Sequence, residues 1–156
     1  MADNIQALYD LLQQVRPLHR RVVRSVGDHL DGTGIGVGER AVLALLVESG
    51  PLSVPAIGRA LFLPRQNIQK WVDGLRVADL VERRANPAHR RSYLIAATEE
   101  GRGLFAGIRK REDAAIAGLA ARLSSSEVEA ARAVLAACLE HFSPFEDDPD
   151  HPRPLA

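Results

Sequence analysis

The sequence is poor in cysteine, the residue that stabilises many small proteins through disulfides or zinc sites. It contains one cysteine, Cys138, among 156 residues. A single thiol excludes an intramolecular disulfide framework and a cysteine-based zinc site. Aromatic residues make up only 4% of the chain, and the formal net charge is zero. No segment reaches the roughly 18 uncharged apolar residues of a membrane span, so we expect no membrane partner.

Signals of secretion and of catalysis are also missing. The opening segment, MADNIQALYDLLQQV, carries acidic rather than basic residues and has no continuous apolar core, unlike a signal peptide. The histidines are scattered, and we find neither a phosphate-binding loop nor a nucleophile elbow. We therefore expect a cytoplasmic protein that is not an enzyme and that needs no cofactor or metal.

What the chain does contain is a helical apolar pattern. Hydrophobic residues make up 46% of the sequence, and their spacing predicts helices over 4–30, 39–49, a short segment after Ser53, 64–79, 99 to about 122, and 124–142. Pro17 is expected to kink or split the first helix. Two strand-like runs, 80–85 and 91–97, flank the turn NPAH. The Pro- and Asp-rich residues 143–156 are expected to form a flexible tail.

Positive charge is concentrated in the middle of the chain. Residues 53–95 carry eight Lys or Arg and three Asp or Glu, whereas the segments on either side are net acidic. Four of these arginines, at 83, 84, 90 and 91, fall within nine residues of the predicted hairpin. Such a local basic patch in a neutral protein predicts a polyanionic partner, and double-stranded DNA fits best. The alternative is a solvated turn.

The order of elements predicts a fold that is mainly α with a small β-wing. It corresponds to a winged helix-turn-helix flanked by N- and C-terminal helices. On the helix over 64–79, Ile68, Val72 and Leu75 share the face expected to pack inward. The opposite face carries Gln66, Lys70 and Asp73, with Asn67 and Gln69 on its flanks. Amide side chains pair with adenine edges in the major groove, and lysine reaches guanine or phosphate. The alternative is an ordinary amphipathic surface helix.

Residues 38–102 resemble the core of MarR-type transcriptional regulators. The similar features are a Leu-rich helix ending in Gly50-Pro51, the helix-turn-helix, and the motifs WVDGL, LVERR, NP..RR and TEEGR. Three positions depart from the family pattern, and one of them, Ala97 where the family has Leu, is a packing change. His89 stands where the family usually has Asp, and Asp79 stands where it usually has Gly after the recognition helix. The family's Asp commonly helps to hold the wing arginine in place, so His89 at that position puts this interaction in question.

The resemblance implies a homodimer that binds a palindromic site. It implies a dimerisation helix within 1–37, a DNA-binding domain over 38–101, further dimerisation helices over 102–142, and the tail 143–156. Arg91 corresponds to the second Arg of the family's DRR wing motif. The positions that the resemblance assigns to DNA contact are Arg65, Gln66, Asn67, Gln69, Lys70, Arg83, Arg84, His89, Arg90 and Arg91.

The resemblance also implies a small-molecule effector, aromatic or carboxylate in character, held between the dimer helices and the winged domain. The lining residues it suggests are Tyr9, Arg16, His19 and Trp71. Arg16 and His19 lie three residues apart on one helix face, where the alternative is a solvated basic patch or an intersubunit ion pair. The function expected is a ligand-responsive regulator, most often a repressor. The alternative function is a winged-helix module that binds another protein and not DNA.

Overall fold

The structure, a computed structural model, describes residues 2–87 and 92–142. Contacts divide the chain into two compact units, 1–37 and 38–156. The first unit holds helix α1 (Ala2–His29), which contains Pro17 in its interior without a break. The predicted split at Pro17 is therefore wrong. Proline removes the helical donor to the carbonyl of Gln13, but that residue is exposed, so water can take the place of the missing N–H.

The second unit is mainly helical with one small sheet. It contains α2 (Val37–Ser49), which begins at the unit boundary, α3 (Val54–Leu61), α4 (Arg65–Val77), β1 (Val81–Ala85), β2 (Tyr93–Ala97), α5 (Glu99–Ala120) and α6 (Ser125–His141). The predicted fold class, helices around a two-stranded wing, is confirmed. Each predicted boundary falls within about two residues of the observed one, as expected because helix ends fray.

The core of this unit is aliphatic. The inner face of α4 contributes Ile68, Val72 and Leu75, each with 0% of its surface exposed. This confirms the inward face that the helical spacing predicted. The other large side chains that are almost fully buried come from α2, α3, β2 and α5, namely Val42, Leu43, Leu46, Ile57, Ile95 and Ile108.

The two strands pair antiparallel, with Val81 opposite Ala97 and Ala85 opposite Tyr93. A single residue before α3, Leu52, adds a bridge to the far side of β2. The N–H of Ile95 donates to the Leu52 carbonyl at 2.7 Å, and the N–H of Leu52 donates to the Ile95 carbonyl at 3.0 Å. One residue has no periodicity, so the sequence pattern could not predict this bridge. It ties the start of the helix-turn-helix to the wing.

Three helices of this unit begin with a side-chain cap. The hydroxyls of Ser53, Thr98 and Ser124 each accept a hydrogen bond from a backbone N–H in the first turn of the following helix. At α6 the capping box is complete, because Glu127 also accepts from the Ser124 N–H at 2.8 Å. Hydrogen bonds from the Ser124 hydroxyl and backbone lower the pKa of Glu127. The stability that the Glu127 carboxylate adds to this exposed cap is therefore lost as the pH falls through that lowered pKa, while the bond to the Ser124 hydroxyl remains.

Gly101, in the first turn of α5, lies against the end of the α4–β1 connection. A Cβ at this position would sit 2.1 Å from the Leu80 carbonyl oxygen. We expect Gly101→Ala to lower the free energy of unfolding by about 1–3 kcal/mol, since the backbone would have to move. Gly103→Ala is the matched control, because a Cβ there meets no atom within 4 Å. It should raise stability by up to about 1 kcal/mol. Equal denaturant midpoints for the two variants would contradict this packing.

Candidate nucleic-acid interface

The recognition helix α4 is positioned by a tight turn after α3. Phe62 ends α3 in the left-handed conformation, with φ +54°. The N–H of Leu63 then donates to the Gly58 carbonyl at 3.0 Å. Pro64 is the N-cap residue of α4 and provides no side-chain cap. The left-handed Phe62 could not be predicted from the sequence, because phenylalanine rarely adopts this conformation.

The outer face of α4 carries polar side chains close to its N-terminus. Arg65, Gln66, Asn67 and Lys70 are all exposed. The first turn contains no acidic residue, so the positive end of the helix dipole is not neutralised there. Backbone N–H groups at such an end bind phosphate oxygens, and the side chains beside them reach base edges. The arrangement is suited to placing the N-terminal half of α4 in a major groove.

One predicted reader, Gln69, is already engaged within the helix. Its side-chain amide donates to the Asp73 carboxylate at 3.0 Å, and Asp73 also faces Arg76 at 3.6 Å. The donor that would contact an adenine N7 or a phosphate is therefore shared with Asp73. Gln66 and Lys70, by contrast, make no side-chain hydrogen bond or ion pair to any described residue. Arg65 and Asn67 likewise show no side-chain hydrogen bond or ion pair to the described residues.

The back of α4 lies very close to the start of α2. A Cβ on Gly38 would come within 2.1 Å of the Trp71 ring, and a Cβ on Gly74 would come within 2.2 Å of the Glu39 carboxylate. Glycine at both positions permits this approach. Trp71 is half-buried and packs over Gly38, which gives it a structural role. Its role in binding an effector stays a prediction.

The base of the wing is organised by two contacts. The guanidinium of Arg83 lies 4.2 Å from the centre of the Tyr93 ring, a cation–π distance. Arg84 pairs with Glu82 at 2.7 Å, with both side chains about half exposed. Arg83 thus keeps its net charge on a ring that orients it, whereas the charge of Arg84 is partly neutralised. The sequence analysis named both arginines and missed Tyr93, which the hairpin register places diagonally across from Arg83.

The tip of the wing is only partly described. The amide of Asn86 donates to the Ser92 hydroxyl at 2.8 Å, which closes the hairpin just above the paired strands. His89, Arg90 and Arg91 lie outside the described residues. Their assignment to DNA contact, including that of Arg91, therefore remains a prediction.

The turn between α4 and β1 requires an unusual backbone. Asp79 has φ +56°, and its carbonyl accepts a hydrogen bond from the Thr98 hydroxyl at 2.8 Å. Because the left-handed conformation costs an L-residue about 1–2 kcal/mol, we expect Asp79→Gly to raise the free energy of unfolding by about 0.5–1 kcal/mol. The neighbouring change Ala78→Gly, at φ −86°, should lower it. Chemical denaturation of the two variants measures the difference, and destabilisation by Asp79→Gly would contradict the argument.

The predicted effector residues fall in different units. Tyr9, Arg16 and His19 are exposed along α1 in the first unit, and Trp71 belongs to the second. That they line one cavity stays a prediction. Cys138 is a free, half-buried thiol. Within 2–87 and 92–142, no group of three or more His, Cys, Asp or Glu side chains is arranged to hold a metal ion. None of the described helices is long and apolar enough to cross a membrane.

Comparison with known proteins agrees with this geometry. The sequence profile of the MarR family matches residues 33–92. The HTH-type transcriptional regulator MhqR of Bacillus subtilis is 34% identical over 113 residues, which cover 70% of this chain and 78% of MhqR. The match thus extends well beyond the helix-turn-helix.

Solved structures show the same relationship over nearly the whole chain. The MarR family transcription regulator SP03579 is 33% identical, with a TM-score of 0.77 over 92% of this chain and 95% of that one. CouR from Rhodococcus jostii RHA1, solved with p-coumaroyl-CoA bound, is 30% identical, with a TM-score of 0.75 over 91% and 99%. This chain belongs to the MarR family of transcription regulators, as the resemblance in its sequence implied.

Proposed function

We propose that the protein is a sequence-specific, double-stranded DNA-binding regulator that represses transcription from a palindromic operator. The observation that carries the proposal is the outer face of α4. Gln66 and Lys70 are exposed and without partners among the described residues, at the positive end of a helix whose opposite face is fully buried. A recognition helix needs both properties, a rigid inner face and free donors outside. Acting on DNA would place the protein in the cytoplasm.

The wing supports the same reading. Arg83 is held over Tyr93 with its positive charge uncompensated, and the sequence places Arg90 and Arg91 further along the same hairpin. A wing beside a recognition helix reaches the neighbouring backbone or minor groove. Three arginines there would contact phosphates and fix the register of α4 on the DNA.

The apolar surface of the terminal helices supports a homodimer. Leu18 on α1 is 62% exposed, and Leu139 on α6 is 58% exposed. Other exposed apolar residues continue along the same helices and α5, including Ile5, Leu11, Val15, Ile116, Leu119 and Leu135. Contiguous apolar surface of this kind marks an interface. A two-fold pair of winged units would read two half-sites about one helical turn apart.

An aromatic or carboxylate effector completes the proposal. The relative CouR was solved with p-coumaroyl-CoA, an aromatic acyl thioester, which supports an effector of aromatic character here. Tyr9, Arg16, His19 and Trp71 remain the residues proposed to line its site. If the effector binds best when the two winged units are spaced differently from the two half-sites, its binding would release the operator.

Selection of genomic DNA fragments by the full chain tests the proposal. The recovered fragments should share a palindrome, and footprinting should show two protected half-sites on one face of the helix. The variant Arg91→Ala should recover few fragments. Recovery of random fragments by the wild-type chain would favour the alternative function, a winged-helix module whose partner is another protein. In that case no DNA contact would be needed to explain Arg84, because Glu82 already partly neutralises its charge.

A further inference from the structure

A second basic surface lies on α1, outside the proposed DNA-binding surface. Between Asp10 and Asp28 the helix carries four arginines and one histidine and no acidic residue. All five of these side chains, the arginines at positions 16, 20, 21 and 24 and the histidine at 19, are exposed. Throughout the described ranges, none of these five forms an ion pair. Asp10 itself accepts a hydrogen bond from Gln6 at 2.9 Å, which directs it toward the N-terminus, away from the arginines.

Three of the arginines border a groove. Pro17, Arg20, Arg21 and Arg24 line an open depression of about 320 Å³. Their spacing of three, four and seven residues places them on one face of the helix. We call this surface the arginine groove. Its volume is at the small end of the range for small-molecule sites, about 300–1,000 Å³.

The arginine groove works against the stability of the helix that carries it. Arg20 and Arg24 are separated by four residues, as are Arg16 and Arg20, and Arg21 and Arg24 are separated by three. Like charges at these separations repel one another along a helix surface. An anion seated among them removes the repulsion. Guanidinium groups bind phosphate through paired, charge-assisted hydrogen bonds, which makes phosphate the best-matched anion.

The number and spacing of the arginines in the groove indicate how many phosphate groups it can bind. The three arginines of the groove, at positions 20, 21 and 24, span about 6 Å along the helix axis, at about 1.5 Å per residue. One phosphate would engage one or two of the guanidiniums and leave the rest repelling one another. A ligand with two or more phosphate groups matches the three guanidiniums better.

We propose that the arginine groove binds a small molecule that carries at least two phosphate groups, and that such a compound regulates the protein. The regulatory half of this inference rests on the proposed function, whereas the binding half does not. Arg16 and His19, which are proposed to bind the effector, do not line this groove. Arg20, Arg21 and Arg24 line it around Pro17.

Calorimetric titration of the full chain with adenosine 3′,5′-bisphosphate tests the binding half. The triple variant Arg20→Gln, Arg21→Gln, Arg24→Gln removes the groove. The matched control Arg109→Gln, Arg122→Gln, Arg132→Gln removes the same charge from exposed positions elsewhere. The wild type should bind one ligand per chain, and the triple variant should bind at least about tenfold more weakly. The control should stay within about twofold, and adenosine without phosphates should not bind.

Three results would overturn the proposal. One is the absence of saturable binding to the wild type, and another is equal weakening in the two triple variants, which would indicate general charge only. The third is loss of dimer or of operator binding in the groove variant with bisphosphate binding intact, because the arginines would then contact a partner chain or DNA. Operator binding by the wild type is measured in parallel, so failure of the groove and failure of the proposed function are told apart. Circular dichroism of the groove variant should show undiminished helix.

Discussion

Replacing Gln66 and Lys70 together by alanine is expected to weaken operator binding by about a hundredfold, because each paired base contact contributes about 1–3 kcal/mol. Both side chains are exposed on the N-terminal half of α4, and the inner face beneath them, formed by Ile68 and Val72, is fully buried. The change therefore removes the proposed contacts to DNA without disturbing the core. Fluorescence anisotropy with labelled operator at fixed salt measures the loss.

The second lysine of the chain provides the control. Lys110 is exposed on α5, far along the sequence from the helix-turn-helix, and Lys110→Ala removes the same charge. It should change operator affinity by no more than about twofold. If the double variant and wild type bind the operator equally well, α4 is not the recognition helix. If the double variant loses affinity for shuffled DNA to the same extent, Gln66 and Lys70 contribute only to non-specific binding.

Breaking the ion pair between Arg40 and Glu112 should have the largest effect on stability of any single charge removal. The Arg40 Nε donates to one Glu112 oxygen at 2.9 Å, and a second guanidinium nitrogen binds the other oxygen. The guanidinium also lies 5.4 Å from the centre of the Phe105 ring. The side chains are only 20% and 12% exposed. The pair fastens α2 of the winged domain to the middle of α5.

We expect Glu112→Gln to lower the free energy of unfolding by about 2–3 kcal/mol, since it leaves the Arg40 guanidinium unpaired in a largely buried place. Denaturant unfolding measures the change. Glu129→Gln breaks a comparable contact, Arg132 to Glu129 at 3.1 Å, whose side chains are 74% and 69% exposed. Exposed pairs contribute about 0–1 kcal/mol. Similar losses from the two substitutions would contradict the argument.

A double variant separates attraction from the cost of an unpaired charge. Arg40→Met with Glu112→Leu removes both charges and keeps apolar volume beside Phe105. It should recover much of the stability that Glu112→Gln loses, because apolar replacements of buried pairs are often neutral. If α5 still sits on α2 in the double variant, operator binding should survive as well.

Local rules were enough to predict much of this fold. Capping by Ser53, Thr98 and Ser124 depends on residues within one helical turn, so it could be read directly from the sequence. The buried face of α4 follows from the spacing of Ile68, Val72 and Leu75. Asp79 stands where the family pattern usually has Gly, a residue that readily adopts the left-handed conformation found there.

Contacts between distant residues could not be predicted in this way. Arg40 and Glu112 are 72 residues apart in sequence, and no periodicity relates them. Trp71 was considered only as an effector residue, because the close approach of Gly38 depends on how α2 packs against α4. The engagement of Gln69 by Asp73 at 3.0 Å is a local contact that the sequence analysis missed. Its signal was present, since the two residues are four apart on one helix.

The central claim is that this chain binds one DNA sequence through paired winged units, and a salt-dependent titration tests it most directly. Labelled operator and a shuffled duplex are titrated with the full chain at several salt concentrations, alongside Arg91→Ala. We predict tight, selective binding whose log–log salt slope rises by about 0.9 for each phosphate contact, with a shallower slope and weaker binding for Arg91→Ala. Equal affinity for operator and shuffled DNA at every salt concentration would contradict the claim.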